Sequence, residues 1–311
     1  MWQWNYGFYV NSWLSGVYWE KEASVEYFDA AGNEEFQVDC GIRPQGNQNR
    51  RPHNTQKHSM RLRFKNDYGP TKLNYPLFKD SPVDTFESIT LRGGTNDSWH
   101  VWGGRQRASY TRDAWGHKAS RDVGVPAPYG NFVHLYLNGL YWGVYNPIER
   151  PDAPFYAFHV GGGTKEEWEA NNAGQPMGDD TAGDLVVWNT MMSYFNSGTL
   201  SDTEYDQASE WLDMTAFADY LLVCFYTGRG DWGSYNFYAA ALPGPPGEPP
   251  IQPVLFSTWD VEESLSLYGG SSADNTNIGD ISGANIRRIL GCLENNAKFQ
   301  KLMGDRAHKW L

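Results

Sequence analysis

Four oxygen-bearing side chains lie close together in the stretch LLVCFYTGRGDWGSYNFYAAALPGPPGEPPIQPVLFSTWDVEE. Asp231 is followed five residues on by Asn236, and Asp260 is followed two residues on by Glu262. The apolar run before Thr227 reads as a helix that stops at a glycine-rich loop carrying Asp231 and Asn236. An aromatic strand follows, and after a Pro/Gly excursion a second apolar strand delivers Asp260 and Glu262. A hard divalent cation takes oxygen ligands from separate elements without a dedicated cage. Three acids and an amide at two strand ends form such a ligand set, although loop Asp and Asn residues also form turns.

The elements that would position these groups can be read in order. Residues 17–29 alternate, AAGN is a turn, and EEFQVDCGIRPQG returns, so the chain opens with a β-hairpin. The loop GNQNRRPHNTQ, with Arg50 and Arg51, has no apolar residue and belongs at the surface or around a ligand. In KHSMRLRFKNDYG, alternation places His58, Met60, Leu62 and Phe64 on one face and Lys57, Ser59, Arg61 and Arg63 on the other. That cationic face is either a solvated sheet surface or an anion contact. FESITLRGGTNDS gives a further strand, and YTRDAWGHKASRDVG reads as a helix with Asp113 near its start and Gly124 as its stop. In NFVHLYLNGLYWGVYNPIE, Asn138-Gly139 between alternating aromatic runs is a strong hairpin signal, and Glu149 closes that hairpin. The glycine-rich stretch GGGTKEEWEANNAGQPMGDDTAG reads as punctuation without packing. GDLVVWNTMMSYFNSG, SDTEYDQASEWLD and MTAFADYLLVCFYTG read as helices, a polar flexible stretch follows Glu262, and two helices close the chain.

The bulk properties set limits on these readings. With 311 residues and 40% hydrophobic composition, the chain can build one large domain or two lobes sharing a cleft. A net charge of -12 disfavours a nucleic-acid partner, whose backbone needs a basic surface. No apolar run approaches about 18 residues, and MWQWNYGFYVNSW lacks the pattern of a signal peptide, so neither a membrane span nor an export signal is expected. Cys40, Cys224 and Cys292 have no metal-ligand or disulfide spacing and read as buried thiols. His117, His134 and His308 lack metal-ligand spacing as well.

The order of parts is that of the protein-kinase plan: a loop for phosphates, a cationic strand, a helix acid, then an Asp with an Asn five residues on and a second Asp after a later strand. The kinase signatures themselves are incomplete. There is no GxGxxG, DFG or APE, and the HRD triplet is replaced by Arg229-Gly230-Asp231. An ordinary protein kinase is therefore not expected.

CGIRPQGNQNRR followed by KHSMRLRFKNDYG, then TRDAWGHKASRDVGVPAPYGNFVHLYLNGLYWGVYNPIERPD, GDWGSYNFY and STWDVEESL, resemble the CotH kinase family of spore-coat type. The likeness runs in order from about residue 20 to about 265. It implies an α+β, two-lobed atypical kinase-like fold, with a β-rich N-lobe over 1–150 and a mainly helical C-lobe over 151–311. By this resemblance Asp231 is the catalytic Asp, which orients or deprotonates the acceptor hydroxyl, and Asp260 the Mg2+ ligand. Asn236 matches the metal-binding Asn by spacing, and Glu262 stands where the family commonly has Asp. The implied cofactors are ATP and Mg2+, with Mn2+ as an alternative, and the implied partner is a protein with a Ser/Thr acceptor. Lys57 and Arg61 would meet the phosphates, Arg50 would cap them, and Asp113 would pair with one of the cations. Glu149 would line the adenine or metal side of a cleft, or form a salt bridge with Arg150 or Arg112. A pseudokinase or structural coat or surface module is the alternative from another class, and a carbohydrate-active protein is a third. Location is left open, with a surface or coat setting expected if the chain is part of a longer protein.

Overall fold

The structure, a computed structural model, describes residues 7, 9–14, 16–99, 106–177, 185–196, 198–230, 232–265 and 285–311. Asp231 and the polar stretch after Glu262, at 269–280, lie outside the described residues. By internal contacts the chain divides into two compact units. One is Met1–Tyr110 with Pro128–Arg150, and the other is Thr111–Ala127 with Pro151–Leu311. Strands and helices are both extensive, and the fold class is α+β.

The first unit is a curled antiparallel sheet. Its strands are β1 (Lys21–Phe28), β2 (Glu34–Gln45), β3 (Ser59–Arg63), β6 (Ser88–Arg92), β7 (Val133–Leu137) and β8 (Leu140–Ile148), in the spatial order β1-β2-β3-β6-β8-β7. The short pair β4 (Leu73–Asn74) and β5 (Thr85–Phe86) sits apart from it. The opening hairpin forms as its alternation predicts, with Tyr27 opposite Phe36 and the two rings stacked at 5.5 Å. Asn138 and Gly139, at φ 51° and 79°, make the turn between β7 and β8. Two consecutive positive φ values match the right-handed twist of the flanking strands, and Asn-Gly adopts them at least cost. One sheet face buries Cys40, Ile42, Met60, Leu62, Ile89 and Leu91 in a core that Phe78, Phe86 and Tyr145 complete.

The second unit carries the helices. They are α1 (Arg112–Asp122), α2 (Ala153–His159), α3 (Val186–Ser193), α4 (Asp202–Ser209), α5 (Met214–Tyr226), α6 (Ile286–Leu293) and α7 (Ala297–Trp310). A four-stranded sheet runs β10-β9-β11-β12, with β9 at Glu169–Asn172, β10 at Gln175–Pro176, β11 at Phe237–Leu242 and β12 at Gln252–Thr258. Ser201 caps α4 in a capping box, accepting from Glu204 N while the Glu204 carboxylate reaches back to Ser201 N. Helix α5 is apolar nearly all round because it is central: Phe217, Tyr220, Leu221 and Cys224 are fully buried. The glycine-rich stretch corrects its reading as pure punctuation, since β9 pairs with β11 and Ala170 lies opposite Ala240. Backbone pairing with a strand some seventy residues away made β9, and its sequence Glu-Ala-Asn-Asn carries little strand propensity of its own.

The three cysteines are free and buried, as read from their spacing. Burial pushes the Cys40 thiol up to about 12 and also raises that of Cys224, so neither is a nucleophile at neutral pH.

Candidate functional site

The acids and amide of the opening stretch are organised around Arg229. Helix α5 ends where Thr227 Oγ1 turns back to donate to Val223 O at 2.8 Å and Gly228 takes φ 57°. The chain then dives inward, leaving Arg229 1% exposed. Its Nη2 donates to the main-chain carbonyls of both Asn236 and Trp259. Those carbonyls flank the last rung of a hairpin, because β11 and β12 pair with Phe237 opposite Thr258. One guanidinium therefore ties the residue before β11 to the residue after β12, and Asn236 and Asp260 leave the same end of the sheet.

Both of those residues are strained. Asn236 has φ 60° and Asp260 φ 54°, the left-handed region that costs a side chain roughly 1–3 kcal/mol unless the surroundings impose it. Arg229 supplies part of that constraint. Burial opposes its charge, but Tyr220, Cys224 and the Asp260 carboxylate offset this, and its pKa stands above the ordinary value. Of those three neighbours only Asp260 is a carboxylate, so the clamp and the candidate ligand support each other.

The turn after Asp260 is held from outside by α1. Asp113 Oδ1 accepts from Val261 N at 2.8 Å, between Asp260 and Glu262, and stands 3.6 Å from His117 Nε2. Ser120 Oγ meets Thr258 Oγ1 at 2.9 Å, and Gly116 lies flush against the buried Val261 side chain. A Cβ at Gly116 would fall 2.3 Å from Val261 Cγ1. Gly116→Ala should gain about 0.8–1 kcal/mol of helix propensity and lose about 1–3 kcal/mol to overpacking. Lower thermal stability is the expected net result, together with reduced activity because Val261 sits between two candidate ligands. Unchanged melting would show that the α1 contact is slack.

Two backbone bonds tie the Asp231 loop to the same turn. Gly230 N donates to Glu263 O at 2.9 Å, and Leu265 N donates to Thr227 O at 2.9 Å. Trp232, 1% exposed, packs edge-on against Tyr220 and Phe225 and anchors the other flank of the loop. Glu262 is buried at 3% exposure and Asp260 is partly exposed. Among the described residues no group of three or more His, Cys, Asp or Glu side chains is arranged to hold a metal ion. The oxygen donors of Asn236, Asp260 and Glu262 are of the hard type that Mg2+ takes.

The first unit holds the remaining candidates. Lys57 lies just before β3, with its Nζ donating to Val144 O and lying 4.8 Å from the centroids of both the Tyr110 and Tyr145 rings. Burial lowers its pKa to about 8. Arg61 is on the sheet face opposite the apolar core, 7% exposed, with Nη2 donating to Ser88 Oγ at 3.0 Å. The cationic face is thus no solvated surface. Glu20, its side chain fully buried, lies 3.1 Å from Lys65 and 3.8 Å from both Arg43 and Arg63. Arg50 donates to Leu14 O at 3.2 Å, and burial together with Arg43 lowers its pKa. Glu149 is buried, accepting from Tyr129 N at 2.9 Å while its own N–H donates to Tyr129 O.

Sequence reading missed two of these residues. Arg229 was seen only as part of a triplet that fails to match HRD, and its one signal was a charged residue entering an apolar context. Glu20 ends an aromatic run and gave no sign that it would neutralise three cations.

Endo-1,4-beta-xylanase A of Thermoclostridium stercorarium is 30% identical over 161 residues, which amount to 50% of this chain and 23% of that protein. The chain thus spans about a quarter of the length of the curated relative it matches. The family described as CotH kinase protein matches residues 42–307, from within β2 to the last turns of α7. The chain belongs to the CotH kinase family.

Proposed function

We propose that this chain is an ATP- and divalent-metal-dependent phosphotransferase with the two-lobed plan of an atypical protein kinase, acting on Ser/Thr hydroxyls of a protein. The observation that carries the reading is the Arg229 clamp, which delivers Asn236 and Asp260 to one hairpin end with Glu262 two residues beyond. A turn formed only for structure has no need of an amide and an acid both held in the left-handed region at one hairpin end, with a second acid two residues on.

Asn236 and Asp260 would hold Mg2+, with Glu262 as a further ligand or supporting acid. When bound, the cation neutralises charge on phosphate oxygens. Asp231 would orient the acceptor hydroxyl and take its proton as the oxygen–phosphorus bond forms and the β,γ-bridging bond breaks, with ADP leaving. Lys57, Arg61 and Arg50 in the first unit supply cationic donors for phosphate oxygens. Asp113 is a positioning residue, holding the main chain between Asp260 and Glu262.

The test is transfer of labelled γ-phosphate from ATP with Mg2+ or Mn2+ to the chain itself and to casein. Wild type should incorporate label, and Asp231→Asn should lose about 10²–10⁴-fold in rate with unchanged melting. Equal labelling by Asp231→Asn would place the proton acceptor elsewhere. Nucleotide binding with no transfer would favour the pseudokinase reading. The relative named a xylanase raises a carbohydrate-active reading, against which stands the pairing of acids with an amide at a strained turn.

A further inference from the structure

The first unit contains a cavity of about 1100 Å³ whose lining includes the Arg50 and Lys57 already proposed for phosphates, together with aromatic residues that have no role in that reading. Its lining combines the cationic Arg50, Arg51 and Lys57 with the aromatic Tyr9, Trp13 and Trp142, and no acid is among the described residues that line it. Cations without a balancing carboxylate favour an anion, and aromatic faces beside them favour a flat ring.

One wall comes from residues 9–14, which precede the family-matched residues. This segment is built in. Ser12, fully buried, donates through Oγ to Arg50 O, and Arg50 Nη1 donates to Leu14 O. Tyr9 packs on His58 at 4.7 Å and edge-on to Trp142 at 5.4 Å. These bonds fix the loop that carries Arg50 and Arg51 at the same time as they place the rings. Trp13 is 42% exposed and belongs to none of the hydrophobic clusters among the described residues.

We propose that this cavity binds a nucleoside polyphosphate, its phosphates on Arg50, Arg51 and Lys57 and its base stacked on Trp13, so that the segment before the family-matched region selects for the base. The inference rests on the nucleotide reading above and adds the residues that recognise the ring. Glu149, expected either on the adenine or metal side of a cleft or in a salt bridge, accepts the Tyr129 N–H and is buried.

The full chain is titrated with ATP and with inorganic tripolyphosphate, each with Mg2+, and binding is followed by calorimetry. Wild type should bind ATP more tightly than tripolyphosphate. Trp13→Ala should weaken ATP about tenfold, in line with the stacking of one base, and leave tripolyphosphate within about twofold. Trp13→Phe should recover most of the loss, and Lys57→Met should weaken both ligands. Trp13 is at the surface, so its removal leaves the core intact, and melting curves of each variant verify this. Unchanged ATP affinity in Trp13→Ala, or an equal loss for both ligands, overturns base recognition while leaving nucleotide binding standing. Failure of wild type to bind either ligand overturns both.

Discussion

Arg229→Met is expected to lower stability by about 3–5 kcal/mol and to abolish phosphate transfer. The side chain is 1% exposed, and its removal takes away the donor to the Asn236 carbonyl, in a part-buried bond, and to the Trp259 carbonyl, in a buried one. Each orphaned acceptor costs about 1–3 kcal/mol. Loss of a buried charged partner falls in the same range of about 3–5 kcal/mol, a large fraction of a total of roughly 5–15 kcal/mol. Without the clamp, Asn236 and Asp260 lose part of the constraint that holds them in the left-handed region. Arg229→Lys should recover only part of the loss, because an ammonium on a flexible stem does not reproduce a planar fork that reaches two carbonyls. Chemical denaturation of both variants measures this order. If Arg229→Met melts like wild type, the carbonyls have found other donors and the clamp is incidental.

Asp260→Asn is the second large effect, and it separates chemistry from folding. Asp260 is partly exposed, and asparagine also tolerates a positive φ, so the backbone of the turn should persist. A cation held there as proposed would lose a charged ligand, with a cost at least as great as the ~10–100-fold lost when a contact supporting a metal ligand is removed. Metal-dependent nucleotide binding should therefore fall sharply, while melting without ligand stays close to that of wild type. A matching collapse in unliganded stability would mean that Asp260 serves chiefly as counter-charge to Arg229.

Local signals in the sequence account for much of the fold. Asn138-Gly139 needed no tertiary help to announce its hairpin, because few other dipeptides accept two positive φ values. Ser201 and Glu204 marked the start of α4 by a reciprocal cap, and the apolar stretch 214–226 could only be a buried helix. Where partners are distant, the same approach fell short. Strand β9 exists because β11 pairs with it, and no property of Glu-Ala-Asn-Asn announces that. Alternation placed Arg61 on the correct face of β3, but whether that face meets water depends on what covers it, and Arg61 is buried.

The candidate site divides in the same way. Asn236, Asp260 and Glu262 were legible as oxygen donors at two strand ends, since strand ends are marked by where apolar runs stop. Asp113 was legible as a helix acid, but its hydrogen bond to Val261 N depends on how α1 packs on β12. Arg229 was illegible because the two groups it ties together are main-chain carbonyls, which carry no side-chain identity and so leave no pattern in a sequence.

The most direct measurement is thermal unfolding of wild type and Asp260→Asn with ATP, with Mg2+ or Mn2+, and with both. The account predicts that wild type is stabilised by nucleotide and metal together, by about 2.7 kcal/mol when ligand stands at a hundred times its Kd, and that Asp260→Asn shows little of this gain. No stabilisation of wild type by any nucleotide with either metal, or an equal gain in Asp260→Asn, would contradict it.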